Sequence, residues 1–263
     1  MKRREFIGLG IASALLMPVR AIAAAWNTVA FNATDIETAE NGLSIADESP
    51  SDAIDITAPS HAENGAIVQV AVYSRIPNTE AIAILVEKNP TALLANTMFN
   101  HGAESSIVTR IKMAETSDIK VIVKAGNRYF TASKKVIVLE NGCGGTSSTN
   151  EQFKSSIKIR AKQLKNKKLK NKNLVQVKAI ITHPMHTGRG KDEAGELIPA
   201  HFIQHITITH LNQPAVTMQL GTGISKNPYL TFHLAGAKLG DAIVVAWQDN
   251  LGNSGEAGTR VIV

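Results

Sequence analysis

The sequence has one cysteine, few aromatic residues and no apolar run long enough to cross a bilayer. Phe, Trp and Tyr make up only 5% of its 263 residues. A single cysteine excludes a disulfide-bonded scaffold, and the lack of 18 consecutive apolar residues excludes a membrane-spanning helix. With 44% hydrophobic and 19% charged residues, the chain is too apolar for intrinsic disorder. These absences predict a soluble globular protein, and the length suggests two modest domains.

Residues 1–25 have the features of an export signal. Basic residues at 2–4 precede a mildly apolar stretch at 6–17, and small residues follow at 21–25. Two arginines followed by Phe6 are typical of a twin-arginine signal, and an ordinary secretory signal is the alternative. We expect the mature protein to be periplasmic.

Cys143 lies in a segment that is rich in glycine and hydroxyl residues. Gly142, Gly144 and Gly145 flank it, and a Ser/Thr stretch follows. In an oxidising compartment, a lone cysteine has no internal partner and stays a thiol or carries a modification. Glycines remove side-chain bulk and leave the backbone free to enter a narrow cleft. We predict that 141–156 form a flexible arm and linker that present Cys143, without a metal site because one thiolate offers too few ligands.

Short alternating runs of β-branched residues predict an all-β fold on both sides of this arm. The predicted strands are 67–72, 81–86, 107–113, 119–124 and 134–139 before it, and 157–161, 175–181, 205–209, 215–220, 230–234, 243–247 and 259–263 after it. A short helix is predicted near 35–41, with Thr34 as its N-cap and Gly42 at its end. The strand spacing predicts two β-sandwich domains, at 26–140 and 157–263.

The two predicted domains have opposite net charge. Residues 26–150 hold 9 basic and 14 acidic side chains, whereas 151–263 hold 15 and 7. Opposite charge favours docking of one half on the other. Ten basic residues without intervening aromatics lie in 154–178, and we interpret this segment as a solvated hairpin tip rather than a nucleic-acid site. An acidic protein partner is the alternative.

Longer motifs in both halves carry a family resemblance. Those of the first half are Asn89-Pro90, 93–99, 108–113, 129–134 and Gly142-Cys143-Gly144-Gly145. Those of the second half are His183-Pro184-Met185, Thr187-Gly188, 198–203 and 225–229. The first set resembles the SoxY subunit and the second the SoxZ subunit of the SoxYZ sulfur-oxidation carriers. The two subunits, normally separate, are joined here in one chain.

This resemblance implies two immunoglobulin-like β-sandwich domains and a cysteine, Cys143, that holds sulfur intermediates during thiosulfate oxidation. The chain would carry rather than catalyse and would need no cofactor of its own. The implied partners are a c-type haem SoxAX-like enzyme, a dimanganese SoxB-like hydrolase and a molybdenum SoxCD-like dehydrogenase, which hold the metals.

The sequence departs from the family pattern in two places. Asn141 stands where the family arm usually has a glycine, and the arm continues through 146–150 into the second domain instead of ending. A free chain end can enter a tunnel as a single strand, whereas a loop must enter as two. These departures leave open a related carrier that serves another periplasmic oxidation system.

Three further interpretations use the same residues. An enzyme would pair Cys143 with one of the bases His183, His186 or His201, but a glycine-rich arm is a poor support for that geometry. A metal site would combine these histidines with Met185, His205 and His210. An adhesion module would use Cys143 for an intermolecular disulfide. We expect instead histidines with satisfied hydrogen bonds or exposed rings near a domain interface, and a long loop at 183–199 that contacts the first domain or a partner.

Overall fold

Two β-sheets packed face to face form the fold, and two short helices lie at its N-terminal end. The structure is a computed structural model that describes residues 25–100, 102–142, 155–164 and 174–263. The helices are α1 (Thr28–Asn32) and α2 (Ile36–Gly42). The strands are β1 (Glu48–Pro50), β2 (Ile54–Thr57), β3 (His61–Ala62), β4 (Val68–Ser74), β5 (Thr79–Val86), β6 (Leu93–Phe99), β7 (Ser106–Ile111), β8 (Ser117–Ala125), β9 (Arg128–Val138), β10 (Ile157–Gln163), β11 (Leu174–Ile181), β12 (Ile203–His210), β13 (Gln213–Leu220), β14 (Tyr229–Ala235), β15 (Ala242–Asp249) and β16 (Ser254–Arg260). The predicted all-β, sandwich-like fold is confirmed.

Most of the strands follow the alternation that predicted them. In β4, side chains 68, 70, 72 and 74 are buried, and the residues between them are exposed or half-buried. In β11, Val175, Val177, Ala179 and Ile181 face the core. Successive side chains of a strand point to opposite faces, so this pattern places one apolar face of each sheet against the other.

Strands β6 and β16 were not predicted correctly, for different reasons. In β6, five of the seven side chains are buried and the other two, Asn96 and Met98, are half-buried, so its sequence shows no simple apolar–polar alternation. At the other end of the chain, β16 covers Ser254–Arg260 and not the predicted 259–263. It is an edge strand of polar and glycine residues, which carries no apolar pattern. The elements α1, β1, β2 and β3 were also not predicted.

Helix α2 confirms the predicted short helix but begins at a different cap. The Asp35 carboxylate accepts a hydrogen bond of 2.8 Å from the Thr38 N–H, so Asp35, not Thr34, caps the helix. The helix ends at Gly42, as predicted. A Cβ at this position would lie 2.7 Å from the backbone of Ala30, so the glycine allows α2 to pack against α1.

Both sheets run through both halves of the chain. The larger sheet has the order β1-β9-β8-β5-β6-β13-β12-β15-β16, and the smaller one has the order β10-β11-β14-β7-β4-β2. The halves meet where β6 pairs with β13 over residues 95–99 and 216–220, and where β14 pairs with β7. One buried apolar cluster contains residues of both halves. Strand register and apolar packing, more than opposite net charge, therefore determine how the halves fit together.

The basic segment after the arm lies on a β-hairpin. Strands β10 and β11 pair in antiparallel register from Ile157↔Ile181 to Gln163↔Val175. Positions 165–173, where the predicted tip falls, lie outside the described residues. The hairpin strands of this interpretation are thus confirmed, and the solvated tip remains a prediction.

Because the halves share both sheets, we expect them to stay together without a covalent link. A protease site inserted at 146–150 and cut to completion should give two fragments that co-elute in size-exclusion chromatography. The cut protein should unfold in a single transition in denaturant, and the two fragments should separate only when it has unfolded. Elution of two separate folded fragments would contradict the shared sheets. The same insert left uncut is the control.

Candidate functional site

The residue before the predicted carrier cysteine lies in a tightly packed position. After β9 the chain reaches Gly142, which is buried, and the Gly142 N–H donates a hydrogen bond of 3.0 Å to the carbonyl oxygen of Met113. The Gly65 N–H donates to the Glu140 carbonyl at 2.8 Å, and the Met113 N–H donates to the Gly65 carbonyl at 2.8 Å. These three hydrogen bonds form the root of the arm.

The root requires glycine on both sides of a close backbone contact. A Cβ on Gly142 would overlap the carbonyl group of Gly65, and a Cβ on Gly65 would overlap the carbonyl oxygen of Met113. Neither glycine has a positive φ. Close approach is therefore the reason for these two glycines. Gly142 was predicted as part of the flexible arm, and the structure places it at the packed end. Cys143, Gly144 and Gly145 lie outside the described residues.

The segment 110–114 joins this root to the second half. Two backbone hydrogen bonds cross between the halves here. The Ser225 N–H donates to the Arg110 carbonyl at 3.0 Å, and the Lys112 N–H donates to the Gly223 carbonyl at 2.7 Å. The next residue, Met113, holds the root. Successive residues of one segment thus contact the second half and the arm in turn.

Lys112 strengthens the contact between the halves. Its side chain is buried, and Nζ donates hydrogen bonds to the carbonyl oxygens of Met185 at 2.5 Å and Thr222 at 2.9 Å. The Asn89 amide donates to the Lys112 carbonyl at 2.8 Å, and its Oδ1 accepts from the Ala114 N–H at 2.9 Å. A buried ammonium is tolerated because it is solvated by carbonyl oxygens.

The loop between β11 and β12 supplies one of these carbonyls. It runs from 182 to 202 with two isolated bridges and no regular strand, which confirms the predicted long loop. Its residue Met185 is 1% exposed and is bonded to Lys112 of the first half. The expected contact of this loop with the first domain is therefore present.

Two histidines of the second half converge on one carboxylate. His201 Nε2 lies 2.8 Å and His183 Nε2 lies 3.4 Å from Asp249 Oδ2, and the two imidazole rings are 4.6 Å apart. Asp249 also accepts hydrogen bonds from the backbone N–H groups of Leu251 and Asn253 and from the Asn253 amide. This network holds the loop 182–202 against the end of β15.

The tautomer of His183 follows from its hydrogen bonds. The Met185 N–H donates to His183 Nδ1 at 3.1 Å, so Nδ1 is unprotonated and Nε2 carries the hydrogen. Burial and the neighbouring His201 lower the pKa of His183 to about 4, against the attraction of Asp249. Burial alone would raise the pKa of Asp249, but hydrogen bonds from Asn253, His201 and His183 lower it below its usual value. His183 is neutral at pH 7.

Comparison with known families assigns both halves of the chain. Residues 43–143 match the family described as sulfur oxidation protein SoxY, and residues 162–260 match sulphur oxidation protein SoxZ. The solved structure of the sulfur carrier protein SoxY from Chlorobium limicola f thiosulfatophilum is 31% identical in sequence. The match covers 39% of this chain and 94% of that chain, with a TM-score of 0.37. This chain belongs to the SoxY and SoxZ families, fused in one polypeptide. No curated protein matched the chain.

The SoxY half contains the root, and the SoxZ half contains the histidine network. Each half contributes residues to the junction at Lys112. In the described part of the chain, neither helix has the length and apolar character needed to span a membrane. The predicted export signal at 1–25 falls almost entirely outside the described residues.

The histidines proposed as metal ligands do not all converge. His183, His201 and Asp249 place ligand atoms within 4.8 Å of one another. His210 instead lies 2.8 Å from Asp241. A metal bound at His183 Nε2 would have to displace the hydrogen that the Met185 contact places there. This geometry favours a hydrogen-bond network over a metal centre.

The sequence patterns do not identify several residues of the root and junction as functional. Lys112 and Asn89 lie within the family motifs, and Gly65 and Asp249 lie outside them. A Lys between the apolar neighbours Ile111 and Met113 was the available signal for Lys112. Asp249 gave no signal, because its partners are 48 and 66 residues away.

We expect the His183 network to make stability depend on pH. The folded-state pKa lies below the unfolded value of 6.5, so the unfolded chain binds more protons and stability falls as pH drops from 6.5 to about 4. The contribution lost is about 2–3 kcal/mol. Urea unfolding of His183→Asn across this range should show a smaller slope than wild type. The control His61→Asn changes an exposed histidine and should keep the wild-type slope, and equal slopes in all three proteins would contradict the assignment.

We also expect Gly142→Ala to open the root. The added methyl group cannot fit against Gly65, so the amides of Gly65 and Met113 should exchange with deuterium at least about tenfold faster. Gly258→Ala is the matched control, because its Cβ would make only ordinary contacts of 3.7 Å. Unchanged protection at both amides in Gly142→Ala would show that the glycine contact is not essential.

Proposed function

We propose that this protein is a periplasmic carrier that holds thiosulfate-derived sulfur covalently on Cys143 and presents it to sulfur-oxidising enzymes. The observation that carries the proposal is the extent of the SoxY match, which ends on Cys143, together with a SoxZ match in the same chain. The related protein of solved structure is itself described as a sulfur carrier. Loss of the signal at 1–25 on export would leave this cysteine in an oxidising compartment.

The loading step is an oxidation that requires an electron acceptor. The Cys143 thiol and thiosulfate form a sulfur–sulfur bond and give a cysteine S-thiosulfonate, one proton and two electrons. A c-type haem SoxAX-like partner receives the electrons. A dimanganese SoxB-like partner would supply hydrolysis of the sulfonate group by water, which would release hydrogen sulfate and leave a persulfide on Cys143. A molybdenum SoxCD-like partner would accept the electrons when oxygen atoms from water are added to the remaining outer sulfur, which would give a sulfonate again.

The chain's own residues support a carrier better than an enzyme. An unperturbed thiol is only a few per cent thiolate at pH 7, so a catalytic cysteine needs a nearby base. Both ring nitrogens of His183 have hydrogen-bond partners, and its low pKa makes it a weak base. His201 is bonded to Asp249 in the same network. The partner enzyme therefore supplies the activation, and the haem, manganese and molybdenum belong to the partners.

A related carrier of another periplasmic oxidation system is the second candidate. The observation in its favour is that the chain continues after Cys143 and is fixed again at Ser156, which bonds Thr182 through backbone and side chain. An active site reached through a narrow tunnel must then admit a loop. The identity of the group found on Cys143 distinguishes the two candidates.

We expect Cys143→Ser to abolish sulfur loading and to leave the fold unchanged. Wild type and the variant should be incubated with thiosulfate and a thiosulfate-oxidising c-type haem enzyme, and the intact chains weighed. Wild type should gain the mass of one thiosulfate-derived group and the variant none. The Tm should differ by less than about 2 °C, since the arm is predicted to be flexible and exposed and such a segment contributes almost no packing. An adduct on the serine variant, or none on wild type, would contradict the carrier function.

A further inference from the structure

The outer face of the smaller sheet is basic. Every second side chain of β7, β10 and β11 points away from the core. Five basic residues are among these outward side chains, and we call them the basic face: Arg110, Lys158, Arg160, Lys162 and Lys178. The four on β10 and β11 are exposed, whereas Arg110 on β7 is half-buried and has its guanidinium carbon 4.8 Å from the ring centre of Tyr229.

The strand register places the basic face across the boundary between the halves. Arg160 is directly opposite Lys178. Ile180, which shares a face with Lys178, is opposite Tyr229, the ring that Arg110 covers. Strands β10, β11, β14 and β7 are neighbours in that order, and adjacent strands are about 4.8 Å apart, so the face is roughly 14 Å wide. It is complete only when the SoxZ strands β10 and β11 are in one sheet with β7 of the SoxY half.

The stability of the fold gains nothing from bringing these charges together. None of the five basic residues forms an ion pair with another described residue. Like charges that are directly opposite on neighbouring strands, as Arg160 and Lys178 are, destabilise a sheet. The presence of such a pair favours a role in binding over a role in stability.

Two carboxylates at the borders of this face leave its charge in place. Asp55 on β2 pairs with Arg75. Glu104 precedes β7, and its N–H donates to the His233 carbonyl at 2.9 Å. Among the described residues, neither carboxylate pairs with the basic face. The face therefore keeps a net positive charge and attracts an acidic surface.

A surface of this composition fits an acidic protein that binds for a short time. Charges on exposed side chains raise the association rate more than the lifetime of a complex. Arginine and tyrosine are enriched in protein interfaces, and Arg110 and Tyr229 supply both, next to Ile180, which is 40% exposed. A patch roughly 14 Å wide is smaller than a stable interface, and small interfaces are typical of transient redox encounters.

The basic face adjoins the point where the chain returns from the arm. Ser156, just before β10, bonds Thr182 through backbone and side chain, and Lys158 follows two residues later. A protein docked on the face is therefore beside one attachment point of the segment that contains Cys143.

Of the partners in the proposed function, the loading enzyme fits such an acidic surface best. It meets the carrier while Cys143 is an uncharged thiol, whereas the later partners meet a negatively charged thiosulfonate, which an acidic surface repels. The same repulsion favours release of the loaded carrier.

We propose that the basic face is the docking surface for one partner, the c-type haem enzyme that oxidises thiosulfate onto Cys143, and that this enzyme presents an acidic surface to it. This inference rests on the carrier function proposed above. It adds the surface by which the loading enzyme recognises the carrier, separately from the thiol on which the enzyme acts. The basic residues contribute association and orientation and take no part in the chemistry.

The test measures how fast the haem enzyme associates with the full chain. The probe is a purified thiosulfate-oxidising c-type haem enzyme, without thiosulfate, and surface plasmon resonance gives the association rate constant at several salt concentrations. The face variant removes three exposed charges of the basic face: Lys158→Gln, Arg160→Gln and Lys178→Gln. The matched control removes three exposed charges outside it: Lys134→Gln, Lys135→Gln and Lys238→Gln.

We expect the face variant to associate about tenfold more slowly at low salt, with a weaker dependence on salt, because it lacks the charges that attract the enzyme. Its Tm should be no lower than that of wild type, since the opposed charges of Arg160 and Lys178 are gone. With thiosulfate added, kcat/KM for loading should fall by a similar factor. The control variant should match wild type in all three measurements.

Unchanged association in the face variant, an equal loss in the control, or a wild type that does not bind the enzyme would overturn the docking surface. A face variant that loses only its binding to vesicles containing phosphatidylglycerol would assign the face to an anionic membrane and would also overturn it. If wild type binds through the face but gains no sulfur adduct, the docking surface stands and the carrier function fails.

Discussion

The hydrogen bonds of segment 110–114 are the constraint on which the rest of the structure depends. This segment begins in the last two residues of β7. It bonds the SoxZ half through Arg110 and Lys112, and then the root of the arm through Met113. The buried Lys112 ammonium makes the junction specific, because its removal would take away the donor of the hydrogen bonds to the Met185 and Thr222 carbonyl oxygens. The SoxZ half thereby holds the segment against which the glycine contact forms. The SoxZ half therefore helps to fix the position of the root.

Fusion of the two halves in one chain changes how they associate and how the arm is attached. Separate subunits would have to meet before β6 could pair with β13, whereas one chain keeps them at a high effective concentration. The shared sheets show that the covalent link does not replace the interface, since both sheets and the apolar core still cross it. The link instead restricts the arm, because the chain that carries Cys143 is fixed at Gly142 and again at Ser156. A partner must therefore reach a cysteine on a chain segment that is attached at both ends.

The sequence was a good guide where a pattern is local and a poor one where it is not. Alternating strands such as β4 and β11 follow from residue spacing, and the glycines around Cys143 indicated an unusual segment. Strand β6, which has no fully exposed side chain, and the polar edge strand β16 lack the alternating apolar pattern that identifies a strand. The packing of Gly142 could not be predicted, because it depends on Gly65, which is distant in the chain. The role of Asp249 could not be predicted either, because it depends on His183 and His201 in the loop 182–202.

A rigid root is compatible with the proposal that a partner enzyme activates the Cys143 thiol. A cysteine on a long free arm samples many positions, so a partner must first restrict it and pay the entropy of doing so. Gly142 is instead held by Met113 and Gly65 before any partner binds, so the point at which the arm leaves the SoxY half is fixed. That part of the ordering entropy is already lost when the protein folds and is not lost again on binding. The close contact of two glycines therefore orders the start of the arm without the help of a partner.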